Sequence, residues 1–145
     1  MKKYLKHPFA VIFPIPSNFA LRIFKEKKSV FVKYGTHEVL SQNVTDCKKL
    51  LIYESSTGQK ITGEADILSV QLMNFSEVIS EYKKDFFLSE DEFRAYASGR
   101  EEKKMMVFKL DNIKEYSAPI ILDHRLTIAG EYISKDEYNR LTQNN

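Results

Sequence analysis

Phe24-Lys25-Glu26-Lys27-Lys28-Ser29-Val30-Phe31-Val32-Lys33 is the most specific segment of the chain. Its first half closes a helix and its second half opens a strand. Upstream, Phe19, Leu21, Ile23 and Phe24 give the helix an apolar side, and Lys25, Lys27 and Lys28 place cations where the macrodipole favours them. Pro16-Ser17-Asn18 supplies the start, with Ser17 or Asn18 suited to cap free backbone N–H groups. Downstream, Ser29-Val30-Phe31-Val32-Lys33-Tyr34 is β-branched and aromatic and stops at Gly35. Before the helix, Phe9-Ala10-Val11-Ile12-Phe13 reads as a buried strand ending at Pro14.

Past Gly35 the pattern is weak up to Asp46 and reads as a loop. Lys49-Leu50-Leu51-Ile52-Tyr53-Glu54 is a strand, and Ser55-Ser56-Thr57-Gly58-Gln59 a turn. A long strand follows from Lys60 to about Leu72. Its apolar parity switches near Ile67 and Leu68, which predicts a bulge or a sharp coil that curls the sheet. Val78, Ile79 and Tyr82 predict a helix from about Phe75 to Lys84. Ser89 and Glu92 have capping-box spacing, with Leu88 and Phe93 placed as a staple, and Ser134 and Glu137 repeat the spacing near the C-terminus. Lys104-Met105-Met106-Val107-Phe108-Lys109-Leu110 and Ala118-Pro119-Ile120-Ile121-Leu122 read as two more strands. The order β-α-β, β-β, α-α, β-β, α does not alternate as a doubly wound sheet would. It favours a curled, mixed or antiparallel sheet with peripheral helices.

Composition sets the outer limits. The 145 residues, with 43% hydrophobic and 12% aromatic content, suit a single domain spanning 1–145 with a substantial core. No apolar run approaches the roughly 20 residues of a membrane-spanning helix. Pro14 and Pro16 break the apolar stretch behind the basic start, so a cytoplasmic protein without membrane attachment is expected. The lone Cys47 excludes an internal disulfide. His7, His37 and His124 lack metal-binding spacing, so neither metal nor cofactor is expected. The nucleophile elbow, P-loop and dinucleotide fingerprint are missing. Charge is divided: residues 1–60 hold 11 Lys/Arg against 4 Asp/Glu, a surplus of +7, whereas residues 61–145 hold 11 against 16, a deficit of −5. A basic face attractive to phosphate fits this division, and so do charges that interleave on one folded surface.

The stretch from Phe24 to Lys33 resembles the signature of the ASCH domains in the PUA-like superfamily, Gly-x-Lys-x-x-Glu-x-Arg. Glu26 stands at the glycine, Lys28 at the lysine, Phe31 at the glutamate and Lys33 at the arginine. Thr62-Gly63-Glu64-Ala65-Asp66-Ile67 is similar to the family's central Gly-Glu-Ala strand. The stretch from Met106 to Leu122, with Tyr116-Ser117-Ala118-Pro119-Ile120, is similar to its closing strand pair. The resemblance covers most of residues 8–122 and is nearest to a largely archaeal branch. It implies an α+β fold, a PUA-like β-barrel of about six strands, with a cleft between the first helix and second strand. There, many PUA-like domains bind RNA or a modified base. Some bacterial ASCH proteins are amidohydrolases on acetylated cytidine, using the motif lysine and a threonine at the motif-glutamate position; Phe31 offers neither hydroxyl nor carboxylate.

Two readings of function follow. In the first, RNA or a nucleotide-like ligand binds a basic corner made by Arg22, Lys25, Lys27, Lys28 and Lys33, with stacking faces from Tyr34 and His37 and a phosphate site at Ser17 and Asn18. In the second, a hydrolase of modified nucleosides uses Lys28 as base or electrophile and Glu64 as its acid–base partner. Glu64 and Asp66, on one parity of the long strand, are also placed to pair with Lys28 or Lys33. A third class, a protein-interaction domain, calls for a large exposed apolar patch away from the basic corner.

Overall fold

A computed structural model describes residues 7–35, 37–56 and 58–145; the basic run 1–6 and Thr57 of the expected turn lie outside the described residues. The elements run β1 (Ala10–Ile15), α1 (Ser17–Lys25), β2 (Val30–Lys33), α2 (Gln42–Asp46), β3 (Lys49–Glu54), β4 (Lys60–Met73), α3 (Phe75–Tyr82), α4 (Glu90–Ala97), β5 (Met105–Ile121), β6 (Glu131–Ile133) and α5 (Lys135–Thr142). Six strands form one mixed sheet in the order β2-β5-β4-β3-β1-β6. Among the described strands β1 and β3 are the one parallel pair, with α1, β2 and α2 as their crossover.

The sheet curls strongly. In a flat sheet, β2 and β1 would lie about 19 Å apart, four strand spacings. Instead the ring of Phe13 on β1 sits 6.1 Å from that of Phe31 on β2 and 5.7 Å from that of Phe108 on β5. The curl has its source in β4, whose register against β5 shifts at three places, one of them between Ile67 and Ser69. Leu68, 61% exposed, is the extra residue there, which accounts for the parity switch in the sequence.

Two apolar clusters occupy opposite faces of the sheet. Val11, Phe13, Ile15, Leu50, Ile52 and Ala65 face the cluster that includes α1, α3 and α4. Ala10, Ile12, Leu51 and Tyr53 face a smaller one with Tyr116, Leu122 and Leu126, against which Tyr138 and Leu141 of α5 pack. Ala20, Ile23 and Phe24, at helical spacing, are the buried side of α1.

Several details differ from the sequence reading. Pro14 lies within β1, paired with Tyr53; β6 covers only Ala10 to Ile12, so the missing N–H interrupts no ladder. The weak stretch before Asp46 contains α2, whose first turn Ser41 caps by accepting from the Val44 N–H at 3.2 Å. The two late strands are one continuous β5. Asn112, at φ 48°, absorbs the irregularity and donates to Asp66 at 2.7 Å. Neither Ser17 nor Asn18 caps α1: Pro16 occupies the N-cap, and the Ser17 N–H donates to Ser56 Oγ at 3.0 Å.

Candidate functional site

The expected basic corner is divided by its partners. Arg22 forms a two-pronged ion pair with Glu92 of α4, Nη2 to Oε2 at 2.8 Å, and also donates to the Phe87 carbonyl at 3.2 Å. Lys25 pairs with Glu115 of β5 at 2.9 Å. The Lys28 amine donates to the Lys84 carbonyl at 2.9 Å, toward the connection between α3 and α4. Lys27 is exposed and holds a left-handed backbone, φ 54°, as the chain turns from α1 into β2. Arg22 and Lys25 are therefore fixed as braces between elements rather than left as open cations.

The Arg22 brace has a pH signature. Hydrogen bonds from Arg22, and then from Ser89, pull the Glu92 carboxyl down to about 2. A carboxyl depressed in the folded state stabilises above its unfolded value, about 4.3, and loses that contribution as pH falls through about 2. Urea midpoints between pH 4.5 and 2 are expected to fall less steeply in Glu92→Gln than in the wild type. Parallel curves would contradict this role.

The C-terminal end of β2 is different. Lys33 is half-buried, its Nζ 5.0 Å from the centroid of the Phe13 ring. It thus sits inside the curl, where β1 approaches β2. Among the described residues no carboxylate or carbonyl bonds this amine, and burial pulls its pKa down. Immediately after it, Tyr34 leaves the strand: its N–H donates to the Tyr96 hydroxyl at 3.2 Å and its own hydroxyl donates to the Arg100 carbonyl at 3.1 Å. The two rings stand 5.3 Å apart, and the Arg100 guanidinium lies 3.9 Å over Tyr34 and 4.8 Å over Tyr96. Lys103 approaches Tyr34 to 6.0 Å. Arg100 is exposed, with its hydrogen bonds going to the Tyr96 carbonyl rather than to an acid. Burial, the largest influence, raises the Tyr34 hydroxyl; Arg100 opposes this and Glu101 adds to it. His37 is exposed a little further on.

Ser17 and Asn18 lie at the other end of α1, away from Lys28 and Lys33. They line a 410 Å³ hollow with Leu21, Phe24, Glu54 and Glu115. Its two carboxylates repel a phosphate, although one of them is paired with Lys25.

The expected partnership of Glu64 with Lys28 or Lys33 does not form. Glu64 is 7% exposed and accepts from the hydroxyls of Tyr116 and Tyr138, each at 2.7 Å, with Lys49 Nζ at 3.2 Å. These contacts point it toward α5, whereas Lys28 points toward the connection between α3 and α4. Even parity on β4 put Glu64 on the face opposite Ala65, which the sequence did not connect to α5. Asp66 takes Lys49 at 2.5 Å and Asn112, and these bonds lower its pKa. Burial works against the Lys49 ammonium, but its bonds to Asp66 and Glu64 outweigh that and raise its pKa. Phe31 is 4% exposed and touches Phe13, Phe87 and Phe108, so it serves the core. Cys47 is buried, and burial raises its thiol to about 12, far from a reactive thiolate. No group of three His, Cys, Asp or Glu side chains comes together as a metal site among the described residues.

Tyr96, Arg100 and Lys103 were not singled out in the sequence. The available signal was the four-residue spacing of Tyr96 and Arg100 at the end of a helix.

Comparison with known proteins agrees with this architecture. An ASCH protein from Zymomonas mobilis superposes with a TM-score of 0.75 at 20% identity, covering 92% of this chain and 94% of that one. A point variant of the same protein gives 0.77 at 21% identity, covering 96% and 98%. The N-terminal domain of Staphylothermus marinus McrB gives 0.69 at 15% identity, covering 100% and 99%. The chain thus has the ASCH, PUA-like fold: α+β, with a curled six-stranded mixed sheet whose ends, β2 and β6, are not paired to each other. Among the described residues no helix is long and apolar enough to cross a membrane. An uncharacterized protein of Methanocaldococcus jannaschii is 30% identical over 103 residues, covering 64% of this chain and 95% of that one. The model of a domain of unknown function, DUF365, matches residues 8–135, and the chain belongs to that family.

Proposed function

We propose that this protein binds single-stranded RNA, or a nucleotide-like segment of it, at the C-terminal end of β2. The observation that carries the reading is the Lys33 ammonium, held partly out of water with no acid against it among the described residues, one position before Tyr34, whose ring Arg100 covers. A lysine in that state costs folding free energy. A phosphate arriving beside it supplies the missing counter-charge and favours the ammonium form. The exposed guanidinium of Arg100 offers a flat cationic surface for an unpaired base, and Lys103 adds a second phosphate contact. Lys27 and Lys28, at the opposite end of β2, extend the track for a strand lying along this edge. The ASCH and McrB relatives support the fold on which such a surface is built.

Lys33→Met keeps the length and removes the charge. Titration of labelled single-stranded and hairpin RNAs by polarisation is expected to show at least tenfold weaker binding of the single strand by the variant. Its plot of log affinity against log salt should be shallower by about 0.7, one phosphate contact fewer. The melting temperature should stay level or rise, because an uncompensated half-buried charge is gone. Wild-type affinity in the variant, or no saturable binding by the wild type at low salt, would overturn the reading.

A further inference from the structure

A second hollow lies on the other side of the molecule, beneath the turn between β3 and β4. It measures about 860 Å³, and its lining includes Tyr53, Gln59, Ile121, Arg125, Leu126 and Ile128. Tyr53 and Leu126 are buried and belong to the second apolar cluster, so they form the floor. Ile121 and Ile128 on the rim are 73% and 82% exposed, more than any other large aliphatic residue among the described ones. The volume is in the range that encloses a small ligand.

Its charge is one-sided. Among the described residues no aspartate or glutamate lines it, and Arg125 is the one cation that does. Among the same residues no acid or carbonyl bonds the guanidinium. The carboxylates nearest in sequence, Asp123 and Glu131, bond to His124 at 2.6 Å and 2.8 Å rather than to Arg125. Those bonds, Asp123 first, raise the His124 pKa. The smaller hollow across the Ser17–Ser56 hydroxyl contact, at 2.8 Å, is the electrostatic opposite, with Glu54 and Glu115 in its wall.

From this juxtaposition we infer that the larger hollow is a second binding site, for a small organic anion with a flat apolar body and one carboxylate or phosphate. The body lies between the Ile121 and Ile128 side chains over Tyr53. The anion takes the fork of Arg125, and the Gln59 amide is left to orient it. The site is separate from the end of β2, and its standing does not depend on RNA binding there.

The test is a ¹⁵N NMR titration of the full chain with three probes: adenosine 5′-monophosphate, benzoate and inorganic phosphate. Saturable shifts at Ser55, Gly58 and Gln59 are expected with adenosine 5′-monophosphate if the anion is a phosphate, or with benzoate if it is a carboxylate. Inorganic phosphate, lacking the apolar body, should bind at least tenfold more weakly. Arg125→Ala and Ile128→Ser should each weaken the preferred probe about tenfold at these amides. Both changes lie on exposed side chains, so the variants should fold. Absence of shifts with both organic probes, or equal binding of inorganic phosphate, would overturn the proposal.

Discussion

Gly63→Ala is expected to destabilise the protein by about 3 kcal/mol, lowering its melting temperature by roughly 6–12 °C. A Cβ built at this position would lie 2.4 Å from two ring carbons of Phe24 and 2.5 Å from the Lys114 carbonyl oxygen. In an open site the ring would swing aside, but Phe24 is 4% exposed and is the last buried residue of α1. The carbonyl belongs to the β4–β5 ladder and has no room to retreat. The glycine is thus a seat for α1 on the sheet, which explains why it stands in the Gly-Glu-Ala strand. A calorimetric melt of the variant within 2 °C of wild type would contradict this seating.

The second large effect concerns its neighbour. Glu64→Leu should cost about 3–5 kcal/mol, because it strips a buried cluster of the one acceptor shared by two hydroxyls and an ammonium. Burial, reinforced by the bond to Glu64, holds the Tyr138 hydroxyl at about 12 and pushes Tyr116 higher still. Both therefore remain donors across the neutral range. The loss should appear first in α5, which has no fully buried residue of its own and meets the sheet through Tyr138, the Phe9 ring at 5.0 Å and Asn145. Hydrogen exchange in residues 135–142 should accelerate ahead of the strands. Tyr138→Phe, removing one donor, should cost only about 1–2 kcal/mol. Unchanged exchange of α5 in Glu64→Leu would contradict the clamp.

These two residues also mark where the sequence was readable and where it was not. The capping box at Ser89 and Glu92, the bulge at Leu68 and the helix-to-strand corner before Val30 are encoded within a few residues, and each appears in the structure as read. Glu64 was legible as a charged residue on a strand, but its partner Tyr138 lies 74 positions away, and no local pattern links them. β6, three residues long, carries too little periodicity to be seen. The polar run around Asp111 and Asn112 mimicked a break because a bulge, held by the Asn112 bond to Asp66, carries β5 through it.

The basic corner was legible only in part, for the same reason. Lysine count and spacing located cations on α1, but Glu92 and Glu115, which bind Arg22 and Lys25, come from the acidic second half of the chain. Among the described residues, Arg22, Lys25 and Lys49 of the basic half are taken up by acids of the second half. What survives as an open cation with an aromatic setting is Lys33, because the curl lays its amine over Phe13 rather than against an acid.

The most direct test follows the Tyr34 and Tyr96 ring signals and the Lys33 amine by NMR while a single-stranded RNA dodecamer is added at low salt. Saturable shifts concentrated on these groups and on Arg100, reversed by added salt, are the expected result. Shifts absent there, or confined to the hollow beside Arg125, would contradict binding at the end of β2.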